Sequence, residues 1–168
     1  MLFYGKQSLD QSDIDAIVEV LRSDWLTGGP AVEKFENDLK SYFGAKYCCA
    51  VSNGTAALHL AGLALDLRRG DIVITTPITF LATANCIVYA GGTPDFVDID
   101  PDTWNMSVKK LRQKMKHHQS IGLPLPKVVI PVHHSGISCD MEAISQLGQQ
   151  FGFNVIEDAS HAIGGTYQ

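Results

Sequence analysis

Residues 72–99 read IVITTPITFLATANCIVYAGGTPDFVDI. A β-branched run, Ile72–Thr75, leads into a stretch of helical character at 79–89, and apolar residues return at 95–99. Strand, helix, strand over that length is a βαβ unit, and a strand reading as a continuous apolar run is covered on both faces, as in a parallel sheet. The same reading extends outward, with strands expected at 47–51, 128–132 and 154–157. Helices are expected at 55–65, 108–115 and 141–151. No repeat, low-complexity tract or long linker interrupts the series; Pro124 and Pro126 shape a loop before one strand. The expected fold class is α/β, a three-layer sandwich with a mostly parallel central sheet.

Upstream of this alternation the pattern is purely helical. Ile14, Ile17, Val18 and Leu21 lie at helical spacing over 12–25, with Asp13 and Asp15 in the positive first turn. A Gly28-Gly29 turn follows, and Pro30 stands where a helix tolerates it, in the first turn. Val32, Phe35, Leu39 and Tyr42 mark the apolar stripe of a second helix, stopped at Gly44.

Composition narrows the function classes. The chain has 168 residues, 45% hydrophobic and 18% charged, which fits a folded protein with a sizeable core. A net charge of −5, with no basic run longer than two residues, argues against nucleic acid or an anionic membrane as partner. No apolar stretch approaches the roughly 20 residues of a membrane span, and the N-terminus lacks the layout of a signal peptide. A soluble, cytoplasmic protein is expected. Cys48, Cys49, Cys86 and Cys139 form no CxxC pair and read as reduced thiols packed as small hydrophobes. His133 and His134, with Cys139 and Asp140 downstream, have no metal-ligand spacing, so no metal is expected.

In open parallel sheets ligands gather beyond the carboxyl ends of the strands. That rule selects residues 52–56, 76–80, 133–138 and 158–165. Ser52-Asn53-Gly54-Thr55-Ala56 opens a helix: its glycine permits a tight turn, and the free N–H groups with the Thr55 hydroxyl would cradle a phosphate. The same residues also read as an ordinary helix cap, and they match neither the GxGxxG nor the GxxxxGK[ST] pattern. Asp158, at the tip of an apolar strand, suits a protonated ring nitrogen, a metal or a ribose hydroxyl, or simply a capping role. Phe80 would stack on a planar ring or fill the core. Together, a phosphate cradle, a stacking aromatic and an Asp able to pair with a pyridinium on one sheet edge match the needs of pyridoxal 5'-phosphate.

Five ordered motifs carry a resemblance that runs from about Tyr4 onward. They are Trp25-Leu26-Thr27-Gly28-Gly29-Pro30, Ser52 to Leu58, Thr79 to Asn85, Pro131-Val132-His133 with Gly136, and Glu157-Asp158-Ala159-Ser160-His161-Ala162. The sequence resembles the DegT/DnrJ/EryC1/StrS sugar aminotransferases, which have the fold-type-I architecture of pyridoxal-phosphate-dependent transferases. Within them it is most like transaminases acting on UDP-linked 4-keto-6-deoxy amino sugars, of the pseudaminic acid type. The resemblance implies that Gly54, Thr55 and Ala56 hold the cofactor phosphate and that Phe80 stacks on its ring. It further implies that Asp158 pairs with the ring nitrogen, that His161 sits near the ring hydroxyl, and that Thr27 and Gly28 line the substrate side.

The same resemblance implies a Schiff-base lysine in a loop after a further strand, past Gln168. No lysine here suits that role: Lys6 is near the terminus, Lys46 and Lys127 precede strands, and the others lie on helix faces. The expected organisation is therefore an N-terminal segment, 1–25, and the N-terminal part of a truncated large domain, 26–168. The parent would move an amino group from glutamate to a nucleotide-linked keto sugar in surface-polysaccharide or glycan biosynthesis, as a homodimer or higher oligomer. The chain by itself is expected to be inactive. Two alternatives stand beside this: a non-catalytic association or cofactor-binding domain, and part of a lysine-free sugar dehydratase.

Overall fold

A computed structural model describes residues 7–166; Lys6 and the start of the resemblance at Tyr4 lie outside the described residues. The chain divides into two compact units at the Ala50–Val51 junction. The first contains α1 (Gln11–Arg22) and α2 (Pro30–Phe43), neither of which has a buried residue. Local devices set their ends. Asp10 and Asp13 form a reciprocal capping box at the start of α1, Pro30 opens α2, and Gly44 closes it. Between the helices, Gly29 has φ 77°, and a Cβ there would come within 2.9 Å of the Trp25 Cβ. Only glycine fits that turn.

The second unit is the α/β sandwich. Its elements run α3 (Gly54–Ala64), β1 (Ile72–Thr75), α4 (Leu81–Tyr89), β2 (Thr93–Phe96), α5 (Val108–Ile121), β3 (Val128–Val129), α6 (Met141–Phe151) and β4 (Asn154–Val155). The sheet order is β2-β1-β3-β4, and every pairing is parallel. Side chains alternate across it as the two-residue period requires. Val73, Val128, Ile130 and Ile156 pack with α3 and α4 through Leu58, Cys86 and Ile87. Ile74 and Val129 pack on the other side with α5 and α6 through Leu111, Met115, Ile144 and Leu147. This is the expected three-layer sandwich.

Four expected strands are absent, displaced or shorter. Residues 47–51 form no strand, because an extended segment needs a neighbour to supply its ladder and none of the described strands pairs with it. β2 begins at Thr93 rather than 95: Pro94 is tolerated because β2 is an edge strand. β3 and β4 keep only two residues each as regular strand, although an isolated bridge joins Val132 to Asp158 further along. Helix α5 runs six residues past the expected Met115, to Ile121.

Candidate functional site

From β1 the chain moves outward to β2, then returns to the other side of β1 as β3. Neighbouring loops therefore diverge between β1 and β3, the switch point at which open parallel sheets form their crevice. A cavity of about 560 Å³ lies there. All four segments selected from the sequence contribute to it. Among the expected site residues, Gly54, Thr55, Phe80, Asp158 and His161 line it, while Ala56 is not part of the lining. Thr27 and Gly28 belong to the first unit, in the turn before α2.

The N-terminus of α3 forms one wall. Asn53 is the N-cap, and its side-chain oxygen accepts the Ala56 N–H at 2.9 Å. That donor is committed to the cap. The first turn leaves the N–H groups of Gly54 and Thr55 without an intrahelical acceptor, so the free donors are on the two residues that face the cavity. Gly54 does not adopt a positive φ, so the tight-turn reason inferred from sequence does not apply at this position. A Cβ there would come to 3.4 Å from the Ser160 hydroxyl oxygen.

Phe80 is the N-cap residue of α4 and is 77% exposed, which presents its ring at the cavity rather than in the core. Asp158 also lines the cavity and is 5% exposed. Its Oδ2 accepts the Thr83 hydroxyl at 2.7 Å, and its Oδ1 accepts the Ser160 hydroxyl at 2.6 Å and the Ser160 N–H at 3.3 Å. The backbone is pinned too, with Asp158 N–H donating to Pro131 and its carbonyl accepting from His133. A helix N-terminus, an exposed aromatic face and a buried acceptor around one cavity suit a planar heteroaromatic ring that carries a phosphate and an N–H.

Sequence reasoning gave no role to the residues that hold the 133–138 loop. His133 is buried; its Nδ1 accepts the Cys139 N–H at 3.1 Å, which puts the ring proton on Nε2, 3.2 Å from Glu157 Oε2. Asn105, also buried, donates from Nδ2 to the carbonyls of Ile137 and Ser138 and accepts the His134 N–H at 2.9 Å. The indole of Trp104 stacks on the His134 ring, with centroids 6.0 Å apart. The loop is strained: Ser135 has φ 53°. Gly136, at φ 87°, approaches so closely that a Cβ would lie 3.0 Å from the His161 carbonyl. Only the short-range motif at 131–136 hinted at this, since Asn105 is roughly 30 residues from its partners.

No lysine lines the cavity among the described residues. Lys110, Lys114 and Lys127 are engaged instead with Asp98, Asp95 and Asp71. In the adjoining core, burial pushes the Cys86 thiol up to about 11, and the charge of Asp158 acts in the same direction.

Comparison with known proteins places these features in context. Residues 7–168 match the DegT/DnrJ/EryC1/StrS aminotransferase family. The spore coat polysaccharide biosynthesis protein SpsC of Bacillus subtilis is 42% identical over 165 residues, covering 98% of this chain and 41% of that protein. A UDP-4-amino-4,6-dideoxy-N-acetyl-beta-L-altrosamine transaminase of Campylobacter jejuni is 41% identical, covering 100% of this chain and 43% of that protein. Among solved structures, NtdA of Bacillus subtilis, with bound cofactor PMP, superposes with a TM-score of 0.83 at 37% identity, covering 91% of this chain and 34% of that one. The sandwich thus shares the fold-type-I architecture of these aminotransferases. The chain spans about two-fifths of the length of the curated relatives it matches.

Proposed function

Because the chain belongs to the DegT/DnrJ/EryC1/StrS aminotransferase family, we propose that it is the cofactor-binding part of a pyridoxal-phosphate-dependent sugar aminotransferase. The observation that carries this is the convergence of Gly54, Thr55, Phe80, Asp158 and His161 on one cavity at the switch point of the sheet. Gly54 and Thr55 donate their N–H groups to the cofactor phosphate, with Ala56 supporting the turn through its bond to Asn53. Phe80 covers one face of the ring, Asp158 accepts from the ring nitrogen, and His161 sits by the ring hydroxyl. When bound, pyridoxal phosphate supplies the electron sink that lets an amino group pass between carbon skeletons.

The substrates in this reading are a nucleotide-linked keto-deoxy sugar and an amino donor, glutamate; Thr27 and Gly28 belong to the substrate side. The C. jejuni transaminase, 41% identical, supports a UDP-linked amino sugar. In this reading the Schiff-base lysine comes from outside these 168 residues. Residues 26–168 then act as the N-terminal part of a large domain, in a homodimer or higher oligomer, in the cytoplasm. Among the described residues, no helix is long and apolar enough to cross a membrane.

Titrating the chain with pyridoxal phosphate and following its intrinsic fluorescence tests the reading. Saturable binding is expected, weakened about tenfold by Phe80→Ala, whose exposed ring leaves the core untouched, and by Asp158→Ala. Borohydride is expected to fix the cofactor on no lysine of this chain. Absence of saturable binding, or binding that neither substitution changes, would refute the assignment.

A further inference from the structure

The buried hydroxyl of Thr83 has no role in the site as described so far. It lies on α4, is 0% exposed, and reaches across 75 residues of sequence to Asp158 Oδ2 at 2.7 Å. Its other neighbour is the Thr79 hydroxyl at 2.8 Å, a contact in which geometry alone leaves the donor open. Chemistry decides it. A hydroxyl has one proton, and an ionised carboxylate only accepts, so Thr83 donates to Asp158 and must accept from Thr79. The direction of the relay is Thr79 to Thr83 to Asp158.

The other oxygen of Asp158 meets two further donors, the hydroxyl and the N–H of Ser160. Among the described residues, the hydrogen-bond partners of this carboxylate are all donors. These two supports differ in kind. Ser160 is two residues away, and its bond is a local turn that follows the backbone. Thr83 is a separate layer of the sandwich, and it is fixed through the same helical turn that presents Phe80 to the cavity. The stacking ring and the acceptor are thus set by one rigid piece of α4.

From this geometry we infer that Thr83, backed by Thr79, is a positioning residue that holds Asp158 as an oriented, accept-only carboxylate, so that the cavity selects a ring bearing a cationic N–H over an isosteric ring with C–H. The inference rests on the cofactor reading above and goes beyond it by naming the residue that makes Asp158 selective. Thr83→Val keeps the shape and removes the donor; Thr83→Ser restores it.

The probes are pyridoxamine phosphate, which forms no link to lysine, and its analogue with the ring nitrogen replaced by C–H. Binding of each to the 168-residue chain is measured by calorimetry for the wild type, Thr83→Val, Thr83→Ser and Thr79→Val. The wild type is expected to prefer the nitrogen-bearing probe by about tenfold or more, the value of a hydrogen bond to a charged group. Thr83→Val is expected to lose most of that preference, Thr83→Ser to keep it, and Thr79→Val to fall between. A preference retained in Thr83→Val, or lost equally in Thr83→Ser, overturns the inference while leaving the cofactor reading intact. Binding of neither probe by the wild type overturns both. Independently of any ligand, the relay predicts a slowly exchanging Thr83 hydroxyl proton in NMR spectra of the free chain. Its absence would overturn the inference even if Thr83→Val failed to fold.

Discussion

The helices of the two units look alike in sequence and are stabilised differently. α1 and α2 are amphipathic, yet Ile14, Ile17, Leu21, Phe35 and Tyr42 are all exposed. They are held by caps and by pairs one turn apart, such as Lys34 with Asp38 and Gln11 with Asp15. α5 and α6 bury Leu111, Met115, Ile144 and Leu147 against the sheet. Isolated helices of 12 to 14 residues are marginal in water, so local devices set the ends of α1 and α2 without supplying much free energy. An apolar stripe shows that a helix has a face to bury. It does not say against what.

The cysteines give the widest separation between the units. Cys49 is exposed and Cys48 partly so, whereas Cys86 and Cys139 are buried. Burial lifts both buried thiols to about 11, with Asp158 adding to the effect at Cys86 and Glu157 at Cys139. At pH 8 that leaves only about one thiolate in a thousand, before any steric protection is counted. Reaction with a chromogenic disulfide should therefore be fast at Cys49, slower at Cys48, and should wait for unfolding at the other two. Four thiols reacting at one rate in native buffer would erase the distinction.

Truncations probe the same contrast through stability. Ile74 is 0% exposed in the central strand, and Ile74→Ala should cost about 2–5 kcal/mol in urea unfolding. Ile17, 59% exposed on α1, should cost no more than about 0.5 kcal/mol on the same change. Similar losses at the two positions would mean that the stripe of α1 is covered after all. Asn105→Ala falls between them. It strands the His134 N–H and the carbonyls of Ile137 and Ser138, for about 1–3 kcal/mol. Its signature should be local, with faster amide exchange at 134–139; an unchanged exchange pattern would deny Asn105 its hold on the loop.

Asn105 also marks where reading the sequence stops. The βαβ unit at 72–99 was legible because β-branched runs and helical spacing are local properties. The four loop segments were legible because a parallel sheet gathers them at one end. Residues 47–51 show the converse: β-propensity is local, but a strand exists only where a neighbour completes its ladder. Pro94 is a related case, since a proline inside β2 is tolerated only because that strand lies at an edge. Thr83, Ser160 and Asn105 carry ordinary polar side chains whose partners depend on the register of loops far apart in sequence. Thr83 lies within one recognised motif, but nothing in that motif points to Asp158.

The smallest effect tests the local devices by themselves. At the start of α1, the Asp10 carboxylate accepts the Ser12 hydroxyl, the Ser12 N–H and the Asp13 N–H, while Asp13 accepts the Asp10 N–H. The Ser12 hydroxyl, followed by the two backbone donors, holds the Asp10 carboxyl below its ordinary range. A depressed value means that the folded cap binds its proton less readily than the open chain does. Its stabilisation is then complete above the ordinary aspartate value, about 4, and drains away as the pH falls through the lower folded value. The Ser12 and Asp13 amides should lose protection over that window. α6 should keep its own, because Ile144 and Leu147 hold it wherever the sheet is folded. Asp10→Asn retains a good capping side chain that cannot titrate, so its α1 should be less sensitive to the same acidification, with only the Asp13 half of the box left as an acid. If wild-type α1 proves no more sensitive, packing rather than the cap holds it, and the contrast between the two units fails at the point where it is most local.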